Sequence, residues 1–263
     1  MQCLPIQCST SWASLACLAW LRRLPSSKLP TKPPRSAQHG ARNAHPLGFL
    51  PAQSHCVQTF HGMGANPCAH LCGAVIGICK LKLFEAITRR WGRLDILVHS
   101  IAFAPRQALE GRVTDCPRDG FLTAMDVSCW SLLDLTRPAE KLMTGGGTIF
   151  AMSYHGANEV IENYGIMGPV KAALESAVRY LAAELGPKGI RVHAISPGPL
   201  ATRAASGIPD FDALMERVAE RAPARRLVTI EEVGAACVFL GSQYAGAMTG
   251  DTIYIDGGYH ILG

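Results

Sequence analysis

From residue 83 onward, apolar positions fall into blocks of two kinds. In residues 83–91, Leu83, Phe84, Ile87 and Trp91 share one side of a 3.6-residue period, which predicts the end of an amphipathic helix stopped by Gly92. Ile96-Leu97-Val98 is an unbroken apolar run, expected of a strand buried on both faces of a parallel sheet. A helix follows over 120–143 and a strand over 148–152. A long helix over 163–185 is closed by Gly186-Pro187. Residues 190–195 form a strand ended by Ser196-Pro197-Gly198-Pro199. Helices over 211–221 and 230–240 precede a last strand, 252–255, closed by Asp256-Gly257-Gly258. Alternating strands and helices predict an α/β fold, a doubly wound parallel sheet with function at the strand C-termini.

Residues 22–72 show neither the helical nor the strand period, and Pro30, Pro33 and Pro34 would interrupt either. This stretch reads as irregular. Composition sharpens the boundary. Of 263 residues, 48% are hydrophobic and 17% charged, enough to bury a sizeable core. Residues 1–84 hold eight Lys or Arg and no Asp or Glu, while the rest holds 17 basic and 20 acidic residues. The net charge of +5 therefore belongs to the early segment and carries no argument for nucleic acid. Seven of the ten cysteines, Cys3, Cys8, Cys17, Cys56, Cys68, Cys72 and Cys79, also lie there. No apolar run is long enough to cross a membrane, and residues 12–21 lack the flanks of a secretory signal. The later part has the look of a cytoplasmic enzyme, where disulfides are rare.

The expected strand ends gather polar groups: His99-Ser100, Ser153-Tyr154, and Ser196 with the loop after it. Tyr164 and Lys171 are seven positions apart, about two turns, which would place both on one face of the 163–185 helix. A cation beside a phenol makes the hydroxyl a better proton donor to developing oxyanion charge, and the same ammonium can bind sugar hydroxyls. Spacing alone is equally satisfied by a half-buried Tyr164 and a solvated Lys171.

The segment Ser153-Tyr154-His155-Gly156, followed by Asn163-Tyr164-Gly165-Ile166-Met167-Gly168-Pro169-Val170-Lys171-Ala172-Ala173-Leu174-Glu175, resembles the active-site strand and helix of NADH-dependent enoyl-[acyl-carrier-protein] reductases, a divergent branch of the short-chain dehydrogenases. His99-Ser100-Ile101-Ala102-Phe103-Ala104-Pro105 resembles their loop beneath the nicotinamide. The stretch from Gly189 through Pro199, then Thr202-Arg203-Ala204-Ala205-Ser206-Gly207, resembles their substrate-loop entry, and Asp256-Gly257-Gly258 their last strand end. The resemblance runs from about residue 83 to 261. It implies a Rossmann-like fold and reduction of a trans-2-enoyl thioester by NADH. It also implies catalytic roles for Tyr154, Tyr164 and Lys171, with Tyr154 supporting. Cofactor contacts would come from Ser100, Ile101, Lys171, Leu200, Ala201, Thr202, Arg203 and Ala204, and substrate contacts from Ala104 and Phe211. Phe211 reads equally as ordinary helix packing. No metal is implied. An acyl carrier protein partner and a homotetramer are, with Arg203, Arg225 and Arg226 as basic residues that an acidic carrier would meet. Ordinary short-chain dehydrogenases place the catalytic Tyr four positions before the Lys. Here that position is Met167, which has no proton to give, so a carbonyl reductase is the weaker alternative.

The chain departs from the family at its start. The glycine-rich turn that lets backbone approach a pyrophosphate should lie roughly eighty residues before Ser100. That position holds Arg22-Arg23-Leu24-Pro25, and Gly62-Met63-Gly64, with Gly73 and Gly77 beyond, lies too near Ser100. The acidic or polar residue that should read the adenine ribose is missing as well. The expectation is therefore a first half, residues 1–82, that is aberrant or missing as a nucleotide-binding unit, and a catalytic part over 83–263. Unrelated translation, after a frameshift or a wrong start, is favoured for residues 1–82. A targeting extension would precede a complete domain and not replace half of it, and a metal module built on His61, Cys68, His70, Cys72 and Cys79 fits less well because the ligand spacing forms no paired finger. The alternative function is an inactive fragment of the same enzyme.

Overall fold

The computed structural model describes residues 56–58, 72–200 and 211–262. Five strands, β1 (Cys56–Gln58), β2 (Ile96–His99), β3 (Gly147–Met152), β4 (Ile190–Pro197) and β5 (Thr252–Ile255), form one parallel sheet in that spatial order. The helices are α1 (Cys72–Trp91), α2 (Arg106–Leu109), α3 (Arg118–Met125), α4 (Ser131–Leu142), α5 (Met167–Leu185), α6 (Phe211–Arg221) and α7 (Ile230–Gly241).

Alternation along each strand builds two cores. Leu97, Ile149 and Val192 lie side by side in register and face one way, onto Phe84 and Ile87 of α1, Leu132, Leu135 and Ala139 of α4, and Leu174 and Val178 of α5. Ile96, Val98, Phe150 and Ile195 face the other way, onto Val233, Cys237 and Leu240 of α7. Apolar strands with helices on both faces are the doubly wound arrangement. Leu132 is fully buried in the larger core. Leu132→Ala is expected to lower stability by about 3 kcal/mol, read from the urea unfolding midpoint, because the cavity it leaves cannot close completely.

Three sequence expectations are corrected. β1 pairs in parallel with β2, Val57 opposite Leu97, within a stretch that reads as irregular; three residues are too few to display a period. α1 runs from Cys72 to Trp91, so residues 83–91 are its end, and Gly73 and Gly77 are helical positions. The helix expected over 120–143 is two helices joined by a π turn, Asp126–Trp130. The helix expected from residue 163 starts at Met167; Asn163 and Gly165 have φ of 60° and 51°, left-handed backbone that a helix does not admit. Among the described residues, no helix is long and apolar enough to cross a membrane.

Candidate active site

β2, β3 and β4 end at one edge of the sheet, with His99 opposite Ala151 and Met152 opposite Ile195. The loop leaving β2 is fixed by the π turn. Phe103 N–H donates to Ser128 Oγ at 2.9 Å, and Ser128 Oγ donates to Phe103 O at 3.1 Å. A side chain that takes both polar groups of one residue holds Ser100, Ile101 and Ala104 beside the sheet. Three residues on, Ser131 Oγ donates to Val127 O at 2.6 Å and lies 2.8 Å from His99 Nε2, so the ring Nε2–H is the donor. Burial, then the charge of Lys171, pushes His99 down to about 3, which keeps it neutral.

Tyr154 leaves β3 and meets Tyr164 edge to face, ring centroids 5.0 Å apart and planes at 61°. Tyr164 sits in the turn before α5, not on the helix, which corrects the expectation of two side chains on one helical face. Gly156 makes room for it: a Cβ there would lie 2.5 Å from Tyr164 Cδ1 and 2.8 Å from Cε1. The Tyr164 hydroxyl is raised well above the usual phenol range, by burial first and then by Tyr154 and Glu175. Tyr154 is pushed up to about 12, mainly by burial. Both hydroxyls stay protonated at neutral pH, so each has an O–H to donate. Lys171 does not draw Tyr164 towards phenolate, as spacing suggested; burial first, then Tyr154 and Glu175, keep it neutral.

Lys171 is 5% exposed and donates to Met152 O at 2.6 Å, which ties α5 to the end of β3. Burial lowers it to about 8, opposed by Glu175 and then Cys129. One turn on, Glu175, 4% exposed, accepts from Ser153 Oγ at 2.5 Å and from Asn158 Nδ2 at 3.2 Å. Asn158 Nδ2 also donates to Tyr254 of β5 at 2.7 Å. Met167 is buried against Ala124 and Val170, with Ala104, Leu109 and Tyr164 packed alongside. It therefore supports Tyr164 and does no proton chemistry.

The structure pairs Tyr154 with Tyr164, packs Ala104 in the same cluster as Tyr164, and holds Lys171 on Met152 O, two residues before Tyr154; Ile101 lies against the first core and Leu200 against the second. Ala201, Thr202, Arg203 and Ala204 lie outside the described residues, as do His61, Cys68, His70 and Gly62-Met63-Gly64. Phe211 is the first residue of α6. Arg226 forms a two-pronged pair with Glu232, at 2.6 and 2.9 Å, and Arg225 donates to Glu220 O. Sequence reasoning missed Asn158 and Ser128 as members of the site, and gave His99 and Glu175, which it named within motifs, no role of their own. The readable signal was the four-residue step from Lys171 to Glu175, one turn along a helix.

A parallel sheet whose C-terminal edge carries a buried lysine beside protonated tyrosines defines a dehydrogenase or reductase of the short-chain type. The tyrosine–lysine step of seven narrows that class, and the comparisons complete it. The model of the family described as enoyl-(acyl carrier protein) reductase matches residues 81–260, and the chain belongs to that family. The enoyl-[acyl-carrier-protein] reductase [NADH] FabI of Bacillus cereus is 48% identical over 180 residues, 68% of this chain and 70% of that protein. Its counterpart from Aquifex aeolicus is 48% identical over 187 residues, 71% of this chain and 68% of that protein. The crystal structure of the B. cereus reductase with NADP+ and indole naphthyridinone has a TM-score of 0.69 and 47% identity, covering 70% of this chain and 72% of that one.

Proposed function

We infer that this chain is an enoyl-[acyl-carrier-protein] reductase that reduces the double bond of a trans-2-enoyl thioester with NADH. The observation that carries the reading is the pair of protonated tyrosines, Tyr154 on Tyr164, beside the buried Lys171. NADH, when bound, supplies a hydride to the β-carbon. The residues present fit its nicotinamide-ribose end. Lys171 has three N–H donors and gives one to Met152 O, and Ser196 Oγ at the end of β4 is buried without a partner. Ser100, Ile101 and the segment from Leu200 through Ala204 would contact the cofactor, and Ala104 and Phe211 the substrate. Negative charge develops on the thioester oxygen as the double bond is reduced. Tyr164 donates its hydroxyl proton, or a hydrogen bond, to that oxygen, and Tyr154 supports the same face. Lys171 holds the ribose and lends positive charge. The protein's contribution is placement and electrostatics.

We assign the catalytic part to residues 83–263 and an acyl carrier protein as the partner that presents the thioester. A homotetramer and a cytoplasmic setting complete the proposal, and the unbridged thiols of Cys116 and Cys129 suit a reducing compartment. A fragment without cofactor binding is the second reading. Its support is that Gly73 and Gly77 lie inside α1 and form no phosphate-binding turn.

The decisive measurement is NADH oxidation by the full chain with a short trans-2-enoyl thioester. Turnover establishes the reductase; no turnover together with no NADH binding establishes the fragment. A pH dependence is also expected. Lys171 is an ammonium below about 8 and a neutral amine above it. NADH affinity should therefore hold from pH 6 to about 7.5 and weaken as pH rises through that value, read by fluorescence titration. Lys171→Arg, charged throughout, should lose this alkaline limb.

A further inference from the structure

We propose that Glu175 is a positioning residue of this site, locking the end of β3 through Ser153 and supplying the countercharge for Lys171. The proposal rests on the roles given above to Tyr154 and Lys171. Its ground is geometric. One carboxylate, nearly fully buried, takes Ser153 Oγ–H at 2.5 Å and Asn158 Nδ2–H at 3.2 Å. Ser153 directly precedes Tyr154, so the first bond fixes the backbone from which that ring departs. Asn158 lies two residues beyond Gly156, so the second bond closes the loop that leaves room for Tyr164. Tyr254 holds Asn158 from the far side. One carboxylate therefore sets both ends of the segment that seats the tyrosine pair.

The same carboxylate stands one helical turn after Lys171. The groups facing Lys171 are His99 from β2, Cys129 from the π turn, and Glu175 on its own helix. His99 is neutral, and burial raises the Cys129 thiol, so neither brings a full negative charge near neutral pH. Glu175 is the carboxylate among them, and its interaction raises Lys171 against the effect of burial. It acts across the turn by its field, while Met152 O takes the hydrogen bond.

The test follows the Lys171 ammonium itself by NMR of chains carrying 13C-lysine, with Lys171→Arg assigning the signal. This readout needs no NADH, so failure of the reductase reading and failure of this proposal are separable. Glu175→Gln keeps the shape and the hydrogen bonds, because the Asn158 amide can turn over. It should move the Lys171 titration midpoint down by about one pH unit from its native position. A midpoint that stays put in a folded Glu175→Gln chain overturns the proposal. Should that variant not fold, Glu175→Asp draws the charge back by one methylene. A lowered midpoint there supports the proposal, and an unchanged one overturns it. Ser153→Ala separates the two arms: it should leave the Lys171 midpoint in place while lowering kcat several-fold, and native kcat would remove the positioning arm.

Discussion

Tyr164→Phe is expected to reduce kcat by about 10²- to 10³-fold while NADH affinity changes less than about threefold. The variant keeps the ring, and so keeps the edge-to-face contact with Tyr154 and the packing on Met167 and Val170. It removes one O–H, the group that burial holds in its protonated form. An interaction made only as charge develops on the thioester oxygen should appear in kcat and kcat/KM together. Steady-state rates of NADH oxidation, with the cofactor dissociation constant measured separately, distinguish this from a loss of binding. Equal turnover in the variant would remove Tyr164 from the mechanism.

Gly156→Ala should be nearly as damaging, although it touches no reacting group. The added methyl would lie 2.5 Å from Tyr164 Cδ1 and 2.8 Å from Tyr164 Cε1, closer than carbon atoms approach without displacement. The Tyr164 ring is half-buried and packed on Gly156, Tyr154 and Met167, so it yields by moving its hydroxyl. A shift of about 1 Å in a catalytic group costs about 10²-fold in rate. Thermal stability should change little by comparison. Native kcat in Gly156→Ala would show that the pair has slack, and the geometric argument for its placement would fail.

How far the sequence could be read depended on what each element uses as its signal. Strands β2 to β5 are short apolar runs between turn residues, and each lies within about two residues of its expected place. The turn carrying Tyr164 was missed because Asn163-Tyr164-Gly165 runs without a break into the apolar stripe of α5. Only the positive φ at Asn163 and Gly165 separates turn from helix. The π turn at Asp126–Trp130 is likewise invisible to a 3.6-residue template, since one extra residue per turn leaves the composition unchanged. α1 begins in Cys72-Gly73-Ala74-Val75-Ile76, where apolar residues follow one another with nothing polar to reveal a period. Tyr154, Tyr164 and Lys171 were legible as a motif. Glu175 stood in the same motif, but an acidic residue on a helix ordinarily reads as solvated, and only its bonds to Ser153 and Asn158 show otherwise.

The bond from Asn158 to Tyr254 joins residues 96 positions apart, and Tyr254 belongs to the last strand. The loop that seats the tyrosines is therefore anchored to a strand far along the chain from it. Closing so long a loop is slow, because its entropy is lost before the contact is made. During refolding, helical signal should return first and catalytic competence last, once β5 docks. Activity in this molecule is thus a late marker of folding, and a chain shortened before Tyr254 would lose the catalytic loop's anchor while keeping most of its secondary structure.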